Sequence, residues 1–372
     1  MKNYKYQFIR YIFLVLIFCP LIALGQSYSE YDHNGITRQY ILYKPVNLPQ
    51  NAPLVFVLHG YTGNAVHAQN AYGMNAVADA NDFAVCYPQG TKDNNEITHW
   101  NARLKISTTD DIGFLSELAG YLQTEHSLNP DHTFVCGMSN GGFMSYTLAC
   151  EASDVFSAIA SVTGTMSGYT WNNCDPAKPI PILEIHGVDD ETVPIDGSLV
   201  SYGGWGGAPH LDKVVEFWAE KNACTISDSV FLLESTHAYY YRNGINNNEV
   251  WYHKIDNHGH SWPGRNSTTG TNASELIWKF FKLVVDKPSS IVDSSSKNSN
   301  AVSVYPNPAS TFINVKTAEK LACNYKILNI LGNCVLSGSV DQTNFQIDIS
   351  LLSPGFYLLV IDGTAHRILK GQ

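Results

Sequence analysis

The pentapeptide Gly137-Met138-Ser139-Asn140-Gly141 directly follows an apolar run, Thr133–Cys136, and opens a stretch with helical character. G-x-S-x-G between a strand and a helix is the pattern of a nucleophile elbow. The turn strains the serine backbone, and the glycines let strand and helix pass closely. The hydroxyl then stands at the carboxyl edge of a sheet, with a helix N-terminus behind it to favour developing negative charge. A serine hydroxyl is a poor nucleophile at neutral pH, so it needs a base and an acid that orients the base. The segment Pro181-Ile-Leu-Glu-Ile-His-Gly187 reads as a late strand and runs into Val188-Asp-Asp-Glu-Thr-Val-Pro194. Either Asp189 or Asp190 would stand beside the serine on the same sheet edge. After the run Val250–Ile255 comes Asp256-Asn-His-Gly-His-Ser-Trp-Pro263, which offers His260 as the base and His258 as its rival. His253, Asp256, His258 and His260 could instead be grouped around a metal. A triad already accounts for the histidine, however, and no metal or organic cofactor is expected.

The tetrahedral oxygen of an acyl transfer needs two backbone N–H donors. One is expected from Asn140, next to the nucleophile. The other is expected from the loop Leu58-His-Gly-Tyr-Thr-Gly63, at Tyr61, with Thr62 as the fallback. His59 reads as a brace for that loop. Trp100, Trp262 and Trp205 are candidate walls for a sugar or an aromatic acyl group, Trp205 from a glycine-rich stretch over residues 202–209.

Strand-like and helix-like segments alternate between residues 26 and 285. The strand-like ones are Tyr40–Lys44, Leu54–Leu58, Phe83–Tyr87, Thr133–Cys136, Phe156–Val162, Ile182–Ile185 and Val250–Ile255. The helical ones are His67–Ala80, Asp111–Glu125, Gly141–Glu151, Leu211–Lys221 and Ser274–Leu283. Such alternation implies an α/β domain with a mostly parallel sheet covered on both faces. Asp110 and Asp111 are expected to cap the helix that follows them. Residues 286–300 are Ser-rich and read as a linker. Residues 301–372 show short alternating runs that imply a small all-β sandwich.

The chain opens with Lys2, Lys5 and Arg10, an apolar stretch Tyr11–Leu24, and Ala23-Leu24-Gly25 as a cleavage site. Residues 1–25 are therefore expected to be a signal peptide rather than a membrane span. Export makes disulfides possible, and Cys150–Cys174 is the expected pair. Cys86 and Cys136 are not expected to pair. With 23 basic against 33 acidic side chains the net charge is −10, which argues against nucleic acid as a partner. At 44% hydrophobic and 15% charged residues the chain has ample material for a core.

Several stretches resemble secreted esterases of carbohydrate esterase family 1 and the related polyhydroxybutyrate-depolymerase-like α/β-hydrolases. They are Leu58–Gly63, Trp100-Asn-Ala102, Asp110-Asp-Ile-Gly-Phe114, Phe134–Glu151, His186-Gly-x-x-Asp190-x-x-Val-Pro194 and His258-Gly-His260-x-Trp-Pro263. The resemblance implies an α/β-hydrolase fold and Ser139, Asp190 and His260 as the triad; the choice of Asp190 over Asp189 rests on that family spacing. Polymer depolymerases usually carry a cysteine where this chain has Tyr61. The expected substrate is accordingly a feruloyl or acetyl ester of a plant polysaccharide, with a polyester as the alternative. A non-catalytic surface binder on the same fold is the alternative of another class. Val304-Tyr-Pro-Asn-Pro-Ala309, Ile330-Leu-Gly332, Gly355-Phe-Tyr-Leu-Leu359 and His366-Arg-Ile-Leu-Lys370 resemble the type A sorting domain of type IX secretion. That likeness implies the type IX machinery as a partner, and a protein released outside the cell or held at its surface.

Overall fold

The computed structural model describes residues 28–264, 267, 269–286, 303–316, 323–329, 333–361 and 364–371. The expected signal segment, nearly all of the Ser-rich linker and the Ile330-Leu-Gly332 motif lie outside the described residues. The chain divides into two compact units, described from residue 28 to 286 and from 303 onward.

The strands of the first unit are β1 (Ser29–His33), β2 (Ile36–Tyr43), β3 (Leu54–Leu58), β4 (Ala84–Pro88), β5 (Thr91–Lys92), β6 (Thr98–His99), β7 (Thr133–Met138), β8 (Ala158–Val162), β9 (Ile182–Gly187), β10 (Ile226–Leu232), β11 (Thr236–Arg242) and β12 (Val250–Ile255). Its helices are α1 (Ala65–Ala71), α2 (Met74–Asn81), α3 (Asp111–His126), α4 (Asn140–Glu151), α5 (Gly168–Asn173), α6 (Leu211–Lys221) and α7 (Ala273–Val285). Ten strands form one sheet in the order β1-β2-β4-β3-β7-β8-β9-β12-β11-β10. The six from β4 to β12 run parallel, and antiparallel strands close both edges.

The period-2 geometry of a strand explains the two cores. In β3, Leu54, Phe56 and Leu58 face a cluster that includes Phe114 and Leu118 of α3, Phe143 and Leu148 of α4, and Val214 and Trp218 of α6. Val55 and Val57 face the other way, toward Met74 and Val77 of α2 and Ile277 and Phe280 of α7. A strand buried on both faces reads as a near-continuous apolar run, as β3 does.

Three local expectations need correction. The helix expected over His67–Ala80 is two helices, broken at Gly73, whose φ of 74° takes the backbone out of the helical region. The hairpin β10–β11 is a further pair of strands at the sheet edge. Asp110 does cap α3, accepting the Gly113 N–H at 2.9 Å. Asp111 does not; it is buried, pairs with Arg38 at 2.6 Å and accepts the Asn101 N–H at 2.7 Å.

The second unit comprises β13 (Ser303–Tyr305), β14 (Phe312–Lys316), β15 (Cys323–Leu328), β16 (Cys334–Val340), β17 (Asn344–Asp348), β18 (Gly355–Ile361) and β19 (Thr364–Lys370). They form antiparallel sheets of three and four strands, β13-β14-β17 and β16-β15-β18-β19. Ile313, Val315, Ile327, Ile347, Leu359 and Ile368 are buried together as their core. No helix among the described residues is long and apolar enough to cross a membrane.

Candidate active site

Strand register brings the chemistry together. Leu58 pairs with Gly137, Met138 with Val162, Val162 with Ile185, and Gly187 with Ile255. The loops leaving β3, β7, β9 and β12 therefore emerge side by side at the carboxyl edge of the sheet. Those loops carry Tyr61, Ser139, Asp190 and His260.

Ser139 occupies the turn between β7 and α4 with φ 53° and ψ −119°, a backbone conformation that a side chain strongly disfavours. The cost is borne by the packing around it. Ser139 N–H donates to Val162 O at 2.9 Å, and α4 is buried along almost its whole length. A Cβ on Gly137 would stand 2.4 Å from the Gly141 carbonyl carbon, so the elbow closes only because that position is bare.

Asp190 is buried. Its Oδ1 accepts the N–H groups of Thr192 at 2.9 Å and Val193 at 2.8 Å, and its Oδ2 meets His260 Nδ1 at 2.8 Å. Burial opposes its charge, but hydrogen bonds from His186, His260 and Val193 outweigh this and hold the carboxyl far below the usual range. The rival Asp189 is exposed, and its N–H donates to His258 O at 3.0 Å. The rival His258 has its Nε2 at 3.1 Å from Ser261 O, and among the described residues no carboxylate pairs with it. The histidine loop passes so close over the end of β9 that a Cβ on Gly187 would lie 2.0 Å from His258 O. Among the described residues no hydrogen bond joins the Ser139 hydroxyl to His260.

The loop after β3 is tied down from three directions. Thr62 N–H donates to Thr98 O at 2.9 Å, which commits the fallback oxyanion donor elsewhere and leaves Tyr61 N–H as the candidate. The Tyr61 hydroxyl donates to Asp93 at 2.6 Å; burial and that bond push its phenol up to about 12, so it stays a donor. His59 is fully buried. It receives the Gly90 N–H on Nε2 at 3.0 Å, so the proton sits on Nδ1 and goes to Gly60 O at 2.8 Å. Burial lowers the His59 pKa to about 4 and keeps the ring neutral.

Trp100 is not a substrate wall. It is fully buried against His59, with ring centroids 5.0 Å apart. Its indole N–H donates to His59 O at 3.0 Å, and the Asn140 side chain holds its backbone. Its indole N–H and both of its backbone groups thus join the loop after β3 to α4. Trp205 is partly exposed and stands edge-on to Tyr61 at 5.6 Å and Phe143 at 5.3 Å. Trp262 is partly exposed, stacks on Tyr72 at 4.3 Å and donates to Ser274 Oγ at 3.2 Å.

Behind Asp190 lies a buried polar group that the sequence pattern did not single out. Glu184 Oε2 accepts the Tyr146 hydroxyl at 2.9 Å, and Glu184 Oε1 meets His186 Nδ1 at 2.9 Å. His186 Nε2 faces Val193 O at 2.8 Å and Asp190 Oδ2 at 3.4 Å. A polar pair at alternate positions of an otherwise apolar strand is the signal that could have revealed it. Cys150 and Cys174 form a disulfide that ties α4 to the residue after α5. Cys86 and Cys136 are free, on strands separated by β3. Among the described residues no group of three His, Cys, Asp or Glu side chains converges as a metal site. His253 is buried instead beside Tyr240 and Trp251.

By fold, the first unit is an α/β-hydrolase, and its sheet edge presents a serine elbow, a buried acid and a histidine in that chain order. Residues 38–179 match the family described as esterase PHB depolymerase, and residues 303–370 match the secretion system C-terminal sorting domain. The chain thus joins a unit of α/β-hydrolase fold to a C-terminal segment that matches the sorting-domain family. It is 34% identical over 166 residues to the putative esterase NocK of Nocardia uniformis subsp. tsuyamanensis, a match over 44% of this chain and 48% of the relative. It is 29% identical over 179 residues to feruloyl esterase C of Emericella nidulans, over 45% of this chain and 61% of the relative. The chain therefore spans about half to three-fifths of these relatives. An acetyl xylan esterase from Aspergillus awamori superposes with a TM-score of 0.51 at 14% identity, over 69% of this chain and 99% of that one.

Proposed function

We propose that the chain is an exported serine hydrolase of carboxylic esters, with Ser139 as nucleophile, His260 as base and Asp190 as the acid that orients it. His260 Nε2 takes the Ser139 proton as Oγ attacks the ester carbonyl. The N–H groups of Asn140 and Tyr61 receive the oxyanion. His260 then gives the proton to the leaving alcohol, and water repeats the sequence on the acyl-enzyme to release the acid. Asp190 fixes the tautomer of His260 and balances its charge while it is protonated. One observation carries the reading: a buried Asp190 carboxylate holds His260 Nδ1 at 2.8 Å on the same sheet edge as the strained Ser139.

The substrate is a feruloyl or acetyl ester of a plant polysaccharide. Trp205 and Trp262 are the aromatic surfaces for its ring or sugar, and the names of the relatives support this choice. The sorting domain hands the protein to the type IX machinery for release outside the cell. Turnover of methyl ferulate, acetylated xylan and polyester film, compared between the parent and Ser139→Ala, tests the reading. Hydrolysis of the first two, lost by about 10⁵-fold or more in the variant, is expected. Hydrolysis of the film alone would favour the polyester alternative. No turnover of any ester, together with no labelling of Ser139 by a fluorophosphonate, would leave a non-catalytic binder.

A further inference from the structure

His186 touches two carboxylates and a carbonyl. Its Nε2 faces Val193 O at 2.8 Å, which can only accept, so Nε2 carries a proton. Its Nδ1 faces Glu184 Oε1 at 2.9 Å, and the other oxygen of Glu184 already accepts the Tyr146 hydroxyl. Burial raises the Glu184 carboxyl pKa, and the hydrogen bonds from His186, Ser161 and Tyr146 oppose that rise; with Glu184 ionised, Nδ1 must donate as well, which makes the ring an imidazolium with all its donors used. That cation also lies 3.4 Å from Asp190 Oδ2, the same oxygen that receives His260 Nδ1 at 2.8 Å. The two rings therefore share one carboxylate oxygen, with their nearest nitrogens within about 6 Å.

We infer that His186 is a positioning residue of the triad: held as an imidazolium between Glu184 and Asp190, it fixes the Asp190 carboxylate against His260 and sets how readily His260 takes a proton. This inference rests on the reading of His260 as the base. A carboxylate that already carries one cation attracts a second less strongly. Loss of the His186 cation should therefore strengthen the pull of Asp190 on a proton at His260.

The charged and titratable groups around His186 come from four elements. Glu184 lies on its own strand, with Tyr146 of α4 and Tyr252 of β12 beside that carboxylate. Asp190 lies on the following loop, with His260 beyond it. The remaining side is closed by uncharged Thr165, Met166, Pro194, Leu199 and Leu211. Although burial alone would lower it, the two carboxylates and the Val193 carbonyl raise the His186 pKa to about 9.

The test reads the acid limb of Ser139 labelling by a fluorophosphonate against pH, which reports the ionisation of the base without a substrate pocket. Glu184→Gln keeps the shape and the Tyr146 bond but lets His186 become neutral. His186→Gln removes the cation directly. Both should move the acid limb up by about one pH unit, so that labelling near pH 6, taken relative to each variant's own plateau, falls by up to about tenfold. A purely structural role would lower the plateau and leave the limb where it was, and that result overturns the inference. The ring ¹⁵N shifts of His186 in the intact parent protein supply a check that needs no variant. Two protonated nitrogens at pH 8 are expected, and a neutral tautomer there would overturn the inference. His260→Ala separates the two readings: labelling at the parent rate would remove His260 as the base, whereas a dead His260→Ala beside an unmoved limb in Glu184→Gln would defeat the His186 assignment alone.

Discussion

Asn140 grips Trp100 by the peptide groups on both sides of its Cα. Its Oδ1 accepts the Trp100 N–H at 2.6 Å and its Nδ2 donates to the Trp100 carbonyl at 2.9 Å, all four atoms being buried. Because the Trp100 indole holds His59 O in turn, the residue after the nucleophile and the loop after β3 are parts of one assembly.

Asn140→Ala should therefore do two things. It strips two hydrogen bonds from buried backbone groups and should destabilise the fold by about 2–4 kcal/mol. It also frees the oxyanion loop from the elbow helix, so kcat for a soluble ester should drop by about tenfold or more while KM changes little. Denaturant titration and steady-state kinetics on one preparation separate these effects. A stability loss with kcat intact would show that the clasp serves the fold alone.

Gly187→Ala should act on the histidine loop. The added methyl would lie 2.0 Å from His258 O, and the loop must move to admit it. His260 would leave Asp190, and kcat/KM should fall by about 100-fold, with little loss of secondary structure by circular dichroism. Parent-like turnover would mean that the loop yields without carrying His260 away.

The Cys150–Cys174 bond closes a loop of 24 residues. In the chain-entropy model its loss costs about 3 kcal/mol. Cys150→Ser with Cys174→Ser, or reduction of the parent, should lower the guanidinium midpoint accordingly. An unchanged midpoint would show that α5 is held by packing alone.

The acid side of the stability curve should be steep. Burial lowers His59 and His253 to about 4 in the folded protein, against about 6.5 unfolded. Between these values the unfolded chain binds more protons, so stability should fall as pH drops from about 6.5 toward 4. His186, raised to about 9, works in the opposite sense: its contribution is complete below about 6.5 and is lost as pH climbs through 9. Urea unfolding at pH 4.5, 6.5 and 9.5 should find the middle condition the most stable. A curve still rising from 6.5 to 9.5 would contradict the cationic state of His186.

The serine elbow was legible because its glycines, strand and helix are contiguous. The acid was harder: Asp189 and Asp190 are adjacent and chemically alike. What separates them is the turn at Thr192 and Val193, whose N–H groups draw only Asp190 inward. Trp100 shows where local pattern fails. An aromatic residue near a catalytic loop can face solvent or core, and the decision lay with Asn140, forty residues on. The hairpin β10–β11 escaped because Ile226–Leu232 mixes serines and an aspartate into an exposed edge strand, with no glycine at its turn. The partners of Glu184 and His186 are hidden for a different reason. Two polar residues in an apolar strand declare that something satisfies them, but not what.

Asp190 takes two of its hydrogen bonds from the main chain of Thr192 and Val193, while the side chains of Glu191 and Thr192 point into solvent. The acid is thus anchored by parts of its neighbours that every non-proline residue possesses. The outer skin of this turn is free to change its charge, bulk or stickiness toward a polymer surface, and these two anchoring bonds would persist through every such revision.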